Sequence, residues 1–291
     1  MRNSHAPKII TPIIALWLAS LACNTIYRIP MSSEPTPTNT PIPVIQISPK
    51  DGMEIIFVAA GEFIMGSDND YENESPTHTI YLDDYWIDKT EVTNAMYYTC
   101  MQFGPCKDPL SDGFTAPSDH YKNPQTATRP ITYITWFDAQ TYCEWAGRRL
   151  PTEAEWEKAA RGVNGNIYPW GDTPPTPELS NFNQNNFSLM PVGSFPSGAS
   201  PYNAMDMAGN TWEWVADWYD ENYYDTSPSI NPTGPNEGTR RVMRGGAYFQ
   251  PADEVRSAFR NHAAPDYNRS GDLGFRCATD AVNTPTTTSS R

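Results

Sequence analysis

Positive charge is scarce in this chain. Of 291 residues only 20 are lysine or arginine, against 34 aspartates and glutamates, for a net charge of −14. Binding nucleic acid requires a basic face that neutralises phosphates, and the absence of one excludes that class of function. An acidic surface suits a solvated extracytoplasmic protein and favours divalent cations. Histidine is also rare: His5, His78, His120 and His262 form no close pair and no His-x-Glu cluster. A local histidine motif for iron is therefore missing. There is no Gly-x-Ser-x-Gly elbow to carry a nucleophilic serine. No internal repeat is visible, and no cysteine occurs between Cys143 and Cys277.

What is present begins with the ends. Arg2 and Lys8 precede an apolar run from Ile9 to Ala22, too short to span a bilayer comfortably and shaped like a secretory signal. The run closes on Ser20-Leu21-Ala22-Cys23. A small residue before cysteine resembles a bacterial lipoprotein cleavage site, with Ser20 where leucine is usual. Residues 1–23 are thus expected to be a signal whose Cys23 receives lipid, with secretion after ordinary cleavage as the alternative. Six prolines (30, 35, 37, 41, 43 and 49) make residues 24–50 a semi-rigid tether. A folded domain is expected over 51–280, ample for its own core, and a polar tail over 281–291.

If Cys23 is lipidated, four cysteines remain, and an even number in an exported chain implies two disulfides. Cys100 and Cys106 can close a small loop, which leaves Cys143 and Cys277 to close a very long one. Glu54–Val58 and Glu62–Met65, separated by Ala59-Ala60-Gly61, read as a hairpin. Apolar residues at 80, 82, 85 and 87 mark further extended chain around Asp83-Asp84. Three helix starts are legible. Thr93 caps a short helix to about Gln102, and Thr135 with Asp138 precedes Trp136, Ala139, Cys143 and Ala146 at helical spacing, stopped by Gly147. Thr152 and Glu155 form a capping-box pattern ahead of a helix ending at Gly162. Residues 163–240 are rich in Asn, Pro, Gly and aromatics and are expected to hold short strands at best. Ordered loops of that length need ions or disulfides to hold them.

Four motifs follow one another. They are Gly147-Arg148-Arg149-Leu150-Pro151-Thr152-Glu153-Ala154-Glu155-Trp156-Glu157, Gly209-Asn210-Thr211-Trp212-Glu213-Trp214, Arg244-Gly245-Gly246 and Gly274-Phe275-Arg276-Cys277. In this order they resemble the signature of the sulfatase-modifying-factor domain, the domain of formylglycine-generating enzymes. The resemblance covers about residues 52–279. It implies a mixed α+β fold related to C-type lectins with little regular secondary structure, and it supports the Cys143–Cys277 pairing.

It also implies metal sites. Asp206, Gly209, Thr211 and Glu213 offer two carboxylates and backbone carbonyls, donors that suit calcium. Spacing alone favours a plainer reading, a solvent-facing Glu213 between two core tryptophans. In formylglycine-generating enzymes the matching turn binds a structural calcium through side chains at the positions of Asp206 and Glu213 and carbonyls at those of Gly209 and Thr211. Asp206 stands where asparagine is usual. A second family calcium site uses an Asn-hydrophobic pair like Asn181-Phe182, but its remaining ligands fall in a loop that is shorter here.

The resemblance breaks at the chemistry. Family oxidases carry two cysteines after Gly-Gly that bind copper(I), for which soft thiolates are required. Here the stretch from Gly245 to Arg256 holds no Cys, Met or His, and Ala247 replaces the active-site serine. Nonheme iron members place their histidines largely in an upstream helical domain, and here the upstream region is a tether. Neither copper nor iron is expected. Arg148, Arg149, Arg244, Arg256, Arg260 and Arg276 are expected to hold loops by ion pairs, and His78 to make a loop contact. Tyr219, Tyr223 and Tyr224 are candidates for contact with peptide or sugar. The reading that results is a lipid-tethered binding or accessory module for a protein, peptide or glycan ligand. The alternative is a divergent formylglycine-generating or nonheme iron oxidase acting on exported proteins.

Overall fold

The computed structural model describes residues 45–109, 120–267 and 270–281. The signal, Cys23, most of the tether and the tail after Ala281 lie outside the described residues. In chain order the elements are β1 (Ile45–Ile47), β2 (Glu54–Val58), β3 (Gly61–Met65), β4 (His78–Leu82), β5 (Tyr85–Asp88), α1 (Asn94–Phe103), α2 (Trp136–Trp145), α3 (Glu153–Arg161), β6 (Trp212–Trp218), β7 (Arg241–Arg244), β8 (Asn261–Ala263), β9 (Leu273–Phe275) and β10 (Ala278–Asp280). No helix among the described residues is long and apolar enough to cross a membrane.

The helices form where local chemistry satisfies their free ends. Thr93 Oγ1 accepts the Met96 N–H at the start of α1. Both α2 and α3 open on complete capping boxes, Thr135 with Asp138 and Thr152 with Glu155. Gly162, at φ 72°, ends α3 in a conformation that glycine adopts freely.

The strands make two four-stranded sheets and a hairpin. One sheet runs β1-β2-β5-β10, the other β8-β7-β6-β9, and β3 pairs only with β4. Within the second sheet β6 and β9 are parallel, Glu213 opposite Gly274. Three expectations change here. The segments around Ala59-Ala60-Gly61 are not a hairpin: β2 pairs with β1 and β5, while β3 pairs with β4. Residues 45–47, assigned from sequence to the tether, form an edge strand on β2. The region 163–240 contains β6, seven residues and central to its sheet.

Two apolar clusters divide the interior. One gathers Tyr97, Tyr142, Cys143, Trp214 and Phe275 around α1 and α2. The other gathers Phe63, Tyr85, Trp156, Val215 and Val242 around α3. Cys100 is bonded to Cys106, and Cys143 to Cys277 across a separation of 134 residues. The second bond fastens α2 to the link between β9 and β10.

Candidate metal and binding site

The Gly209–Glu213 turn is built from unusual backbone. Asp206, Gly209 and Asn210 have φ of 59°, 87° and 65°. A Cβ on Gly209 would meet Asn181 O at 2.2 Å, so only glycine fits there. The turn is laced to its neighbours: Asn210 N–H donates to Asn181 O, Gly209 N–H to Gly245 O, and Tyr248 N–H to Asn210 O. Three irregular loops therefore meet at this point.

Side chains converge beneath it. Glu213 is 0 % exposed, so it does not face solvent as spacing alone suggested. Its two oxygens accept from Arg276 Nε and Nη2, each at 2.7 Å, and Oε2 also accepts from Trp156 Nε1 at 2.8 Å. Asp206 accepts the Gly193 N–H at 2.6 Å. Glu91, between β5 and α1, joins them: Asn210 Nδ2 donates to its Oε1 at 2.9 Å. Its other oxygen, Oε2, is buried without a hydrogen-bond partner.

Three carboxylates thus lie in the field of one guanidinium, which among them bonds Glu213 alone. Burial pushes Glu91 well above the usual carboxylate range, and the negative charges of Asp206 and Glu213 push further. Asp206 is also raised by burial, against the Gly193 amide and the charge of Arg276. Burial disfavours the charge on Arg276, but Glu213, Glu91 and Asp206 overcome it and raise the guanidinium's proton affinity. Excess negative charge in such a place is relieved either by a proton or by a cation. The orphaned Glu91 oxygen and the oxygen-only donors fit calcium. Among the described residues no three His, Cys, Asp or Glu side chains are arranged to hold an ion, so a cation here has to take backbone carbonyls as well.

Asn181 and Phe182 sit beside this turn with their groups engaged. Asn181 Nδ2 donates to Ser188 O and Asn210 Oδ1, its Oδ1 accepts from Asn186 Nδ2, and Phe182 O accepts the Asn185 N–H. A second ion would compete with these bonds. Asn181 and Asn210 instead connect both expected sites into one polar network.

The stretch after Gly245-Gly246 presents no redox group. Ala247 is fully buried, and the described thiols, Cys100, Cys106, Cys143 and Cys277, are all in disulfides. His78 Nδ1 lies 2.8 Å from Pro76 O, the loop contact expected of it. The six arginines hold loops as expected. Arg148 pairs with Asp51 and Asp88, Arg149 with Glu155 and Asp280, Arg244 with Glu157, Arg256 with Glu74 and Asp70, and Arg260 with Glu153. One of the three tyrosines departs from expectation, while Tyr219 and Tyr223 are half-buried. Tyr224 is buried against Arg260, its ring 4.2 Å from the guanidinium carbon, and Tyr219 packs tilted against His262 with ring centres 4.1 Å apart. They pack because buried guanidinium groups need π faces as well as carboxylates. A separate cleft of about 880 Å³ is lined by Tyr81, Asp83, Asp84, Arg149, Glu155 and Asp280.

Glu91 and the pair Trp136 and Trp218, which hold Arg241 between them, were not found from sequence. Glu91 lies 115 positions before Asp206, and no local pattern links the two.

These features define a class: an α+β scaffold with long ordered loops, locked by buried arginines and two disulfides, carrying an oxygen-rich turn. Comparison with known proteins gives the class its family. The model of the sulfatase-modifying factor enzyme 1-like domain matches residues 43–281, and the chain belongs to that family. It is 34% identical to a formylglycine-generating enzyme of Streptomyces coelicolor, over 85% of this chain and 96% of that enzyme. It is 35% identical to the serine/threonine-protein kinase pkn1 of Chlamydia caviae over 77% of this chain, spanning only 38% of that protein. Among solved structures, PvdO from Pseudomonas aeruginosa superposes with a TM-score of 0.68 at 26% identity, covering 83% of this chain and all of that one.

Proposed function

We propose that this protein is an exported, lipid-anchored binding or accessory module that keeps the family scaffold without its oxidase chemistry. One observation carries the reading: no cysteine stands between Cys143 and Cys277, and those two are bonded to each other. Copper(I) chemistry has no thiolate to use. Calcium would be held by Asp206, the carbonyls of Gly209 and Thr211, and the shared carboxylates Glu213 and Glu91. When bound it supplies charge neutralisation and fixes three loops, with no redox role. Arg276 pairs with Glu213 and orients it, and Asn210 fixes Glu91. The anchor is lipid on Cys23, so labelled palmitate should enter the wild type and be lost in Cys23→Ala. The partner is a protein, peptide or glycan outside the cytoplasm.

Elemental mass spectrometry after reconstitution with calcium, copper and iron tests the reading. Stoichiometric calcium without copper or iron is expected. The 34% identity to a formylglycine-generating enzyme favours a second reading, a divergent oxidase. Retained copper or iron with oxygen uptake on a thiol peptide would establish that one and sink the first. Asp206→Ala separates ion from proton, because it removes a donor oxygen that asparagine would keep. If calcium neutralises the cluster, the variant loses calcium-dependent stabilisation. If a shared proton does so, calcium and chelator leave wild type and variant equally unmoved.

A further inference from the structure

Arg241 is unlike the other core arginines. It lies opposite Trp218 across the β6–β7 ladder. Its guanidinium carbon sits 3.4 Å from the Trp218 ring centre and 3.8 Å from that of Trp136, so the group is sandwiched between two indoles. The Trp136 ring is fixed by its own N–H, which donates to Val215 O at 2.7 Å. Nη1 of Arg241 donates to Ala216 O. Nε is buried with no acceptor, and no described carboxylate reaches ion-pairing distance; Asp217 acts only through space. Nη2 donates to nothing in the protein and is not among the buried orphan atoms, so it meets solvent.

Every other core arginine has a carboxylate within reach, and this one has π faces and a carbonyl. Ring faces compensate a cation only in part. The guanidinium stays charged in any protein environment. A planar cation held rigid between two rings, with an open N–H edge, is preorganised for an oxyanion. Beside it Phe137 packs edge-on to Trp136 at 5.5 Å while 51% exposed, an apolar contact at the rim. Exposed aromatic surface next to a charged anchor suits a peptide better than a free small anion.

We propose that Arg241, clamped by Trp136 and Trp218, is a receptor for a carboxylate on a peptide, with Phe137 taking the apolar side chain next to it. This deepens the binding reading and rests on it. Metal content and oxygen uptake decide that reading separately, so failure of one is not failure of the other.

The test is a nuclear magnetic resonance titration of the ¹⁵N-labelled full chain. The signals followed are the indole N–H groups of Trp136 and Trp218 and the Nε–H of Arg241. Acetyl-Phe-Glu-amide should shift all three in a saturable way and acetyl-Phe-Gln-amide should leave them unmoved. Acetate should shift them more weakly than the acidic peptide. Arg241→Lys should weaken peptide binding roughly tenfold or more, because lysine lacks the planar fork. Should that variant fail to fold, Phe137→Ser on the surface should weaken the peptide and leave acetate unchanged. Absence of any shift, or equal shifts with the Gln peptide, would overturn the site. Phosphate or acetate acting as strongly as the acidic peptide would overturn the peptide assignment.

Discussion

Helices α2 and α3 start alike and end up in opposite surroundings. Both open on capping boxes, and both lie near Arg148 and Arg149, which separate them. α2 buries one face, Trp136, Ala139, Tyr142 and Cys143, in an apolar cluster and is tied covalently to Cys277. α3 has all nine residues buried, among them Glu153, Glu155, Glu157, Lys158 and Arg161. Its charges are answered by others: Glu157 by Arg244 and Arg161, and Glu153 by Arg260. A helix inside this fold can thus be held by oil and sulfur or by ion pairs. The two solutions fail differently, since cavities lose transfer energy while broken ion pairs leave a charge stranded.

The largest test of that difference is Glu157→Ala, which takes from Arg161 its carboxylate and leaves Arg244 only the longer pairing with Glu153 at 3.5 Å. A loss of about 3–5 kcal/mol is expected in urea unfolding. Replacement of Cys277 by serine opens the long loop and should cost about 2–5 kcal/mol. Alkylation of denatured, unreduced wild type should find Cys143 blocked; a free thiol there would refute the bond. Loss of the caps comes next, with Thr135→Ala and Thr152→Ala each expected to cost about 1 kcal/mol. Near-equal cap effects would show that the helices differ in packing and not in their starts.

pH sharpens the comparison with opposite signs. Glu157 is opposed by burial but held below its ordinary range by Arg244 and Arg161, so its contribution disappears as acid is added. Asp88, beside Cys277, is pushed up to about 7 by burial, against Arg148 and the Cys277 amide. The native state therefore keeps a proton that the unfolded chain has released. Asp88's contribution is complete below the ordinary carboxylate value and fades as pH rises through about 7. Asp88→Asn should flatten that part of the stability profile; an unchanged slope between pH 4 and 7 would remove Asp88 as its source.

Much of this was legible where the cause is local. Each capping box is written within four residues, so Thr135 and Thr152 announce their helices without help from the rest of the chain. The ordered motifs gave the family, because side chains such as Glu213 and Arg276 must meet in one buried pair. Strand partners were not legible: Ala59-Ala60-Gly61 looks like a turn whether the flanking strands pair or diverge into separate sheets. β1 was hidden because its proline-rich approach resembles tether throughout. Tyr224 was misplaced since nothing near it in sequence reveals Arg260 beneath it. Glu91 and the Arg241 clamp depend on register and long-range closure, which no local window contains.

β9 and β10 lie within eight residues of one another, yet they complete different sheets. β9 supplies the parallel edge beside β6, β10 closes the sheet of β2 and β5, and Cys277 between them bolts both to α2. During synthesis neither sheet has all its strands until the ribosome has delivered this final stretch of the domain. Placing an edge strand of each sheet at the far end of the domain makes completion of the fold a late event in synthesis.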